Sequence, residues 1–284
     1  MRISECVRGQ GVTIKTVLAG LLLSVLVGCQ TINTTNSGVV GVQREQRMFA
    51  LLSAEQVDTM SATAYHNTIK EAGGKKTLNT DDATLKRLRR IAANLVDETR
   101  AFRVDAQQWR WEVNVIQSDV MNASCIPGGK ILFYSGIIDR LKLTDDEIAA
   151  IMGHEMAHAL REHGREAMSE AYAVELGRGA VGALLGLDDN VMGLANNVVQ
   201  YALTLPNSRE KEAEADIIGL ELMARAGYHP QAAITLWQKM ARQGGDQPPE
   251  FMSTHPATET RIEGLRHYIP KVMPLYHQAR NYSS

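Results

Sequence analysis

The chain has 284 residues, 32 acidic and 30 basic, for a formal net charge of −2, and 44% of it is hydrophobic. With no basic excess, a nucleic-acid binder working through phosphate contacts is excluded. The length suits one domain of about two hundred residues plus an export segment, and three cysteines cannot supply a disulfide framework.

Arg2, Arg8 and Lys15 precede an apolar run from Val17 to Val27. That run is too short to cross a bilayer as a finished helix and has the form of a signal-peptide core. The leader is long before its apolar core, so translation is expected to start nearer Val12. It closes on Leu26-Val27-Gly28-Cys29, which is similar to a bacterial lipobox. Residues 1–29 are therefore predicted to be a lipoprotein signal, with Cys29 diacylated and anchoring the mature chain in a membrane. Gln30, in place of Asp, is similar to the sorting signal for the outer membrane. Cys6 lies in the leader and Cys29 takes the lipid, which leaves Cys125 without a partner. No histidine is near Cys125 in sequence, so it is read as a small buried residue rather than a nucleophile.

Gln30 to Gly41 is rich in Thr, Asn, Ser and Gly, and residues 30–50 are predicted to be a flexible tether. The remaining chain, 51–284, is read as the folded domain. Helical patterns run from Ala54 to Glu71 and from Asp81 to Thr99, where Leu85, Leu88, Ile91, Ala92 and Leu95 share a face. Gly73 and Gly74 separate the two. Alternation from Trp111 to Ile116 predicts a strand, Asn122 to Gly129 a turn, and Ile131 to Tyr134 a second strand.

Thr144 and Glu147 have the spacing of a capping box, with Asp145 and Asp146 adding negative charge to the first turn. The helix they open contains His154-Glu155-Met156-Ala157-His158. Residues four apart lie one turn above each other, so His154 and His158 offer two neutral nitrogens to one point, which suits zinc, and Glu155 sits beside them. A third ligand is needed. The extended pattern that ends in a third histidine is excluded, because Arg161 stands where its glycine would be, Gly164 where its histidine would be, and His163 is one residue early. A later acidic stretch offers Glu210, Glu212 and Glu214 ahead of Asp216. Glu212 and Asp216 are four apart and share a face, one for the metal and one to hydrogen-bond a ligand histidine or the substrate. Glu210 and Glu214 point elsewhere and are expected to be solvated.

Ala180 to Leu187 and Val191 to Leu205, interrupted by Asp188-Asp189, are expected to form a buried helical hairpin rather than a lid at the membrane. Further helices are predicted over Glu212 to Ala226, over Gln231 to Arg242, and from Pro256 to about His267, with a loop from Gln243 to Glu250.

Four ordered stretches carry a family resemblance: N-A-S-C-I-P-G-G from Asn122, H-E-M-A-H from His154, E-A-E-A-D from Glu212, and T-H-P from Thr254 with Arg261 beyond it. Together, over roughly Asp81 to His267, they resemble the HtpX/Oma-type membrane-associated zinc metallopeptidases, most closely the periplasmic lipoprotein members. The resemblance implies an α+β fold, a mainly helical zincin-like domain with a small β-sheet beside the H-E-x-x-H helix. It implies one Zn2+ per chain held by His154, His158 and Glu212, with Glu155 as general base and Asp216 as the second acidic group. It makes His255 a fourth ligand at rest or an oxyanion stabiliser. Ile131, Leu132 and Phe133 are expected to be the edge that takes an extended or unfolded polypeptide substrate. The expected setting is the periplasm, with the membrane reached through the N-terminal lipid, and the expected substrates are misfolded envelope proteins. A non-proteolytic role beside the outer-membrane protein assembly machinery is the alternative, against which Glu155 argues, since a structural zinc has no use for it. An exopeptidase is a second alternative, but no feature marks a terminus-binding subsite.

Overall fold

The computed structural model describes residues 29–50, 52–185, 207–243, 250–256 and 259–282. The predicted leader, the lipobox before Cys29 and the run Val191 to Leu205 lie outside the described residues, and Cys29 is described by its backbone alone.

Strands β1 (Cys29–Ile32) and β2 (Gln46–Phe49) come first, then helices α1 (Ala54–Gly74) and α2 (Asp82–Glu98). Strands β3 (Glu112–Ile116), β4 (Ala123–Ile126) and β5 (Lys130–Tyr134) lead through α3 (Ser135–Leu141) to α4 (Asp145–Leu160) and α5 (His163–Leu185). After residue 206 come α6 (Arg209–Arg225), α7 (Gln231–Arg242), the short α8 (Glu250–Thr254) and α9 (Glu259–Tyr282). The result is a mainly helical α+β fold with two small sheets.

Helix starts are set locally. Ser53 with Gln56, and Thr144 with Glu147, form reciprocal capping boxes on α1 and α4, and the Asp81 and Ser208 side chains cap α2 and α6. The apolar stripe of α2 is buried as its spacing predicts. Every residue of α4 from Glu147 to Leu160 is buried, including the charged and imidazole side chains. Such a helix must be surrounded: β4, α2, α5, α6 and α7 all pack on it.

The larger sheet has the order β3-β5-β4, with β5 parallel to β3 and antiparallel to β4. This corrects two expectations. Ile131, Leu132 and Phe133 are not an edge: they lie in the central strand, its backbone bonded on both sides, at 0%, 6% and 0% exposure. Nor is Asn122 to Gly129 all turn, because Ala123–Ile126 is itself the edge strand β4, and the reversal is confined to Pro127-Gly128-Gly129. Gly128 and Gly129 take the left-handed backbone there (φ 77° and 82°), and the Trp111 ring lies against Gly129.

The expected flexible tether is also corrected. β1 and β2 pair as an antiparallel hairpin, and the chain between them is packed on the domain. Asn36 N–H bonds the Phe102 carbonyl, Val40 N–H bonds Glu221 Oε2 at 3.0 Å, and Val40 and Val42 join the main core. The composition is that of a solvated linker, but Val40 and Val42 are buried in the core and the half-buried Arg44 finds two buried carboxylates. Arg44 grips Glu166 of α5 bidentately, Nη1 to Oε1 at 2.6 Å and Nη2 to Oε2 at 2.9 Å, and Arg47 N–H adds a third bond to the same carboxylate. The last helix also differs from expectation. It opens at Glu259 and runs through Pro270 and Pro274 to Tyr282, well beyond His267.

Burial raises the pKa of Glu166, but the bonds from Arg44 and the Arg47 N–H outweigh it, and the net shift is below the usual 4.5. A carboxylate whose folded pKa is depressed stabilises the fold above its unfolded pKa, and that stability is lost as pH falls through the folded value. Glu166→Gln should therefore cost about 2 kcal/mol near neutral pH. In denaturant titrations the gap to wild type should close progressively below the unfolded pKa of 4.5. A gap independent of pH would show that the charge of Glu166 is not what holds the hairpin down.

Candidate metal centre

The residues singled out for chemistry come from three separate parts of the chain. His154 and His158 project from α4, Glu212 and Asp216 from α6, and His255 follows α8, its N–H bonded to the Phe251 carbonyl at 2.9 Å. One atom each from His154, His158, Glu212 and His255 falls within a single 4.8 Å cluster, all four side chains buried. His154 Nε2 lies 3.1 Å from His158 Nε2 and 3.2 Å from His255 Nδ1. Glu212 Oε1 is 3.3 Å from His158 Nε2 and 2.9 Å from His255 Nδ1, and Glu212 Oε2 is 3.5 Å from His154 Nε2.

What allows this convergence is the closeness of α4 and α6. At their crossing Gly153 meets Gly219: a Cβ on Gly219 would lie 2.7 Å from the His154 backbone nitrogen, and one on Gly153 would lie 2.9 Å from the Gly219 carbonyl oxygen. Glycine on both sides lets the two backbones touch. The carboxylate of one helix is thereby brought to the imidazoles of the other.

This donor set fits a divalent metal ion. Three imidazole nitrogens and a carboxylate facing one point carry more lone pairs than the ring protons can satisfy, whereas a cation would satisfy all of them. Glu155 Oε1 is buried among these groups with no hydrogen-bond partner. His154 Nδ1 lies 3.0 Å from Asp216 Oδ1, so its far side is oriented by a carboxylate, as ligand histidines usually are. Arg261 spans both acids, 2.8 Å from Glu212 Oε2 and 2.6 Å from Asp216 Oδ1, with its guanidinium 3.7 Å over the Trp237 ring.

The electrostatics agree. Burial alone would lower the His154 pKa, but Glu212 and Asp216 raise it to about 9, so a positive charge is favoured at this point. Burial lowers His255 to about 3, leaving its ring neutral and able to donate a lone pair. Burial raises Glu155 to about 8 against the opposing charge of His154. The backbone N–H of Cys125, on β4, bonds the Glu155 carboxylate. A cleft of about 220 Å³ opens over Glu155, His158 and His255, walled on one side by Asn122 to Pro127. Cys125 itself is a buried free thiol, its pKa raised by burial.

The acidic residues left over from the ligand assignment behave differently. Glu210 is exposed, as expected. Glu214 is not solvated: it is 7% exposed and bonded to His163, Arg44 and Arg161. Its helical position turns it away from the four-ligand cluster and toward His163 of α5, Arg161 at the end of α4, and Arg44. His163, noticed in the sequence only as a ligand out of register, stands directly behind His158. Its place five residues after His158 is the one signal for it in the sequence.

The profile of peptidase family M48 matches residues 82–269. The chain is 36% identical over 178 residues to mitochondrial metalloendopeptidase OMA1 of Saccharomyces cerevisiae, covering 60% of this chain and 50% of that protein. To metalloprotease LoiP of Escherichia coli it is 29% identical over 250 residues, covering 86% of this chain and 91% of LoiP. To metalloprotease YcaL of the same organism it is 25% identical over 252 residues, covering 87% and 93%. The chain thus spans half or less of the OMA1 proteins of Saccharomyces cerevisiae, Arabidopsis thaliana and Schizosaccharomyces pombe, at 50%, 31% and 48% of their lengths.

Gly219→Ala should cost about 2 kcal/mol, because the clash is with backbone and no side chain can rotate away from it. It should do so although alanine is the better helix former by about 1 kcal/mol. Gly73→Ala, where a Cβ meets nothing within 4 Å, is the control and should be neutral or stabilising. Denaturant unfolding of both variants checks this, and equal stabilities would mean that the helix crossing tolerates a wider spacing.

Proposed function

Since the chain belongs to peptidase family M48, we propose that it is a zinc-dependent metalloendopeptidase acting on unfolded or misassembled proteins of the cell envelope. The observation that carries this reading is Glu155: a buried carboxylate one residue from a metal-ligating histidine, on the floor of a cleft open along a strand edge. A purely structural metal site has no role for such a group.

His154, His158 and Glu212 would hold the zinc, with His255 as a fourth donor at rest. Bound zinc supplies Lewis acidity, making water a better nucleophile and polarising the scissile carbonyl. Glu155 takes the proton from the attacking water and returns it to the leaving amine. Burial raises its pKa, which makes it a stronger proton acceptor than a solvated carboxylate. Asp216 holds His154 by its Nδ1, and Arg261 holds Asp216 and Glu212 in place. His255 reaches both sides of the site, Nδ1 to Glu212 and Nε2 3.4 Å from Glu155 Oε1. With the metal held by the other three residues, the neutral His255 ring would be available to donate a hydrogen bond to the developing oxyanion.

The substrate's place follows from the sheet. β4 is bonded on one side to β5 and faces the cleft with the other, so an extended peptide can add there as a further strand. Backbone pairing of this kind requires an unfolded segment and leaves folded domains uncut. The envelope setting rests on the signal-like leader and on the lipobox-like Leu26 to Cys29. Among the described residues no helix is long and apolar enough to cross a membrane. The lipobox-like Leu26 to Cys29 makes a lipid on Cys29 the proposed anchor.

Wild type starting at Gln30 should cut casein at internal bonds and lose that activity on chelation. Glu155→Gln should keep its zinc and lose activity by about 10²–10⁴-fold. Mass spectrometry of the fragments separates internal cleavage from end trimming. If both proteins bind zinc and neither cuts, with His255→Ala equally inert, the protease reading fails and the domain is a binding module.

A further inference from the structure

His154 and His158 must each present a lone pair on Nε2 to the cluster, so each must carry its proton on Nδ1, and something must favour that tautomer. For His154 the acceptor is Asp216. Among the described residues no carboxylate is in direct reach of His158 Nδ1. Its neighbour there is another histidine: His163 Nδ1 lies 2.8 Å from His158 Nδ1. On the far side of the second ring, His163 Nε2 lies 3.0 Å from Glu214 Oε2. His163 is 1% exposed, so water does not fill its hydrogen bonds.

Counting protons leaves one consistent arrangement. Glu214 can only accept, so His163 carries its proton on Nε2 and offers the Nδ1 lone pair to His158. His158 then donates from Nδ1, and its Nε2 lone pair faces the metal cluster. The opposite arrangement sets a lone pair of His163 against the Glu214 carboxylate and places a proton on the nitrogen that must ligate.

Glu214 is fixed in turn. Arg44 Nε donates to Oε1 at 2.7 Å and Nη2 to Oε2 at 3.0 Å, while Arg161 Nε donates to Oε2 at 3.1 Å. Arg161 is fully buried and also donates to Asn33, Thr35 and the Arg44 carbonyl. Three of these partners, Asn33, Thr35 and Arg44, belong to the N-terminal segment, outside the 82–269 span of the family match.

We propose that His163 is the positioning residue for ligand His158, forming a His158–His163–Glu214 relay that Arg44 and Arg161 fasten, so that the N-terminal hairpin is part of the metal site's outer support. The inference rests on His158 ligating the metal, as in the function proposed above.

The test uses the full mature chain loaded with zinc or cobalt, and reads the metal dissociation constant by chelator competition and the visible spectrum of the cobalt form. His163→Phe fills the same space without a lone pair and should weaken binding by about 10–100-fold, with a changed cobalt spectrum. Asp216→Asn, at the direct partner of His154, is the benchmark for an effect of this size. His163→Gln can accept from His158 and donate to Glu214, and should recover most of the affinity. A folded His163→Phe with wild-type affinity and spectrum overturns the proposal. If that variant does not fold, Arg44→Met is read instead: weakened binding supports the relay, and unchanged affinity and spectrum overturn it. A different result identifies failure of the underlying reading: if His158→Ala binds metal as tightly as wild type, His158 is not a ligand.

Discussion

The contact on which the site depends is the meeting of Gly153 and Gly219, where the backbones of α4 and α6 touch without a side chain between them. α4 supplies two imidazoles and the carboxylate of Glu155, and α6 supplies Glu212 and Asp216. A metal centre tolerates errors of only tenths of an ångström. Backbone against backbone sets the separation with no flexible intermediary. Burial of α4 on all sides then prevents either helix from drifting, since any movement would open voids in the core.

Around this fixed pair the remaining elements divide the work. The sheet closes one side of α4 and turns an open strand edge toward the cleft. The turn after α8 delivers His255, with the Phe251 ring stacked on it at 4.6 Å between centroids. α9 delivers Arg261 over Trp237, so the two acids of α6 are neutralised from a third direction. Three carboxylates within a few residues, Glu212, Glu214 and Asp216, would repel one another if left alone. Helical geometry sends Glu214 to one set of cations and the other two to another.

Local features of the fold were readable in the sequence and remote ones were not. The capping box at Thr144 and Glu147, the stripe from Leu85 to Leu95 and the facing pair Glu212 and Asp216 depend on spacing within one helix, and spacing is what a sequence displays. Choosing Glu212 over Glu214 needed the family resemblance. β4 is not legible because Ala-Ser-Cys-Ile has little strand character of its own and pairs only because β5 lies alongside. The central place of β5 is not legible either, because nothing in Ile131 to Phe133 tells which side a neighbour will occupy. The hairpin has the composition of a tether, and its polar residues hide two valines and an arginine whose partners lie far along the chain. Those partners, Glu166, Glu214 and Glu221, are buried carboxylates that a one-dimensional reading assigns to solvent.

That distance along the chain bears on when the molecule becomes complete. Arg44 bonds a residue 122 positions later on α5 and another 170 positions later on α6. Closing loops of that size is entropically costly and slow compared with forming any single helix. The hairpin leaves the ribosome long before its docking partners exist. It can settle only after the helices that hold the metal ligands have folded together. A segment made before its partners must thus wait for them, and its docking is deferred until α5 and α6 exist.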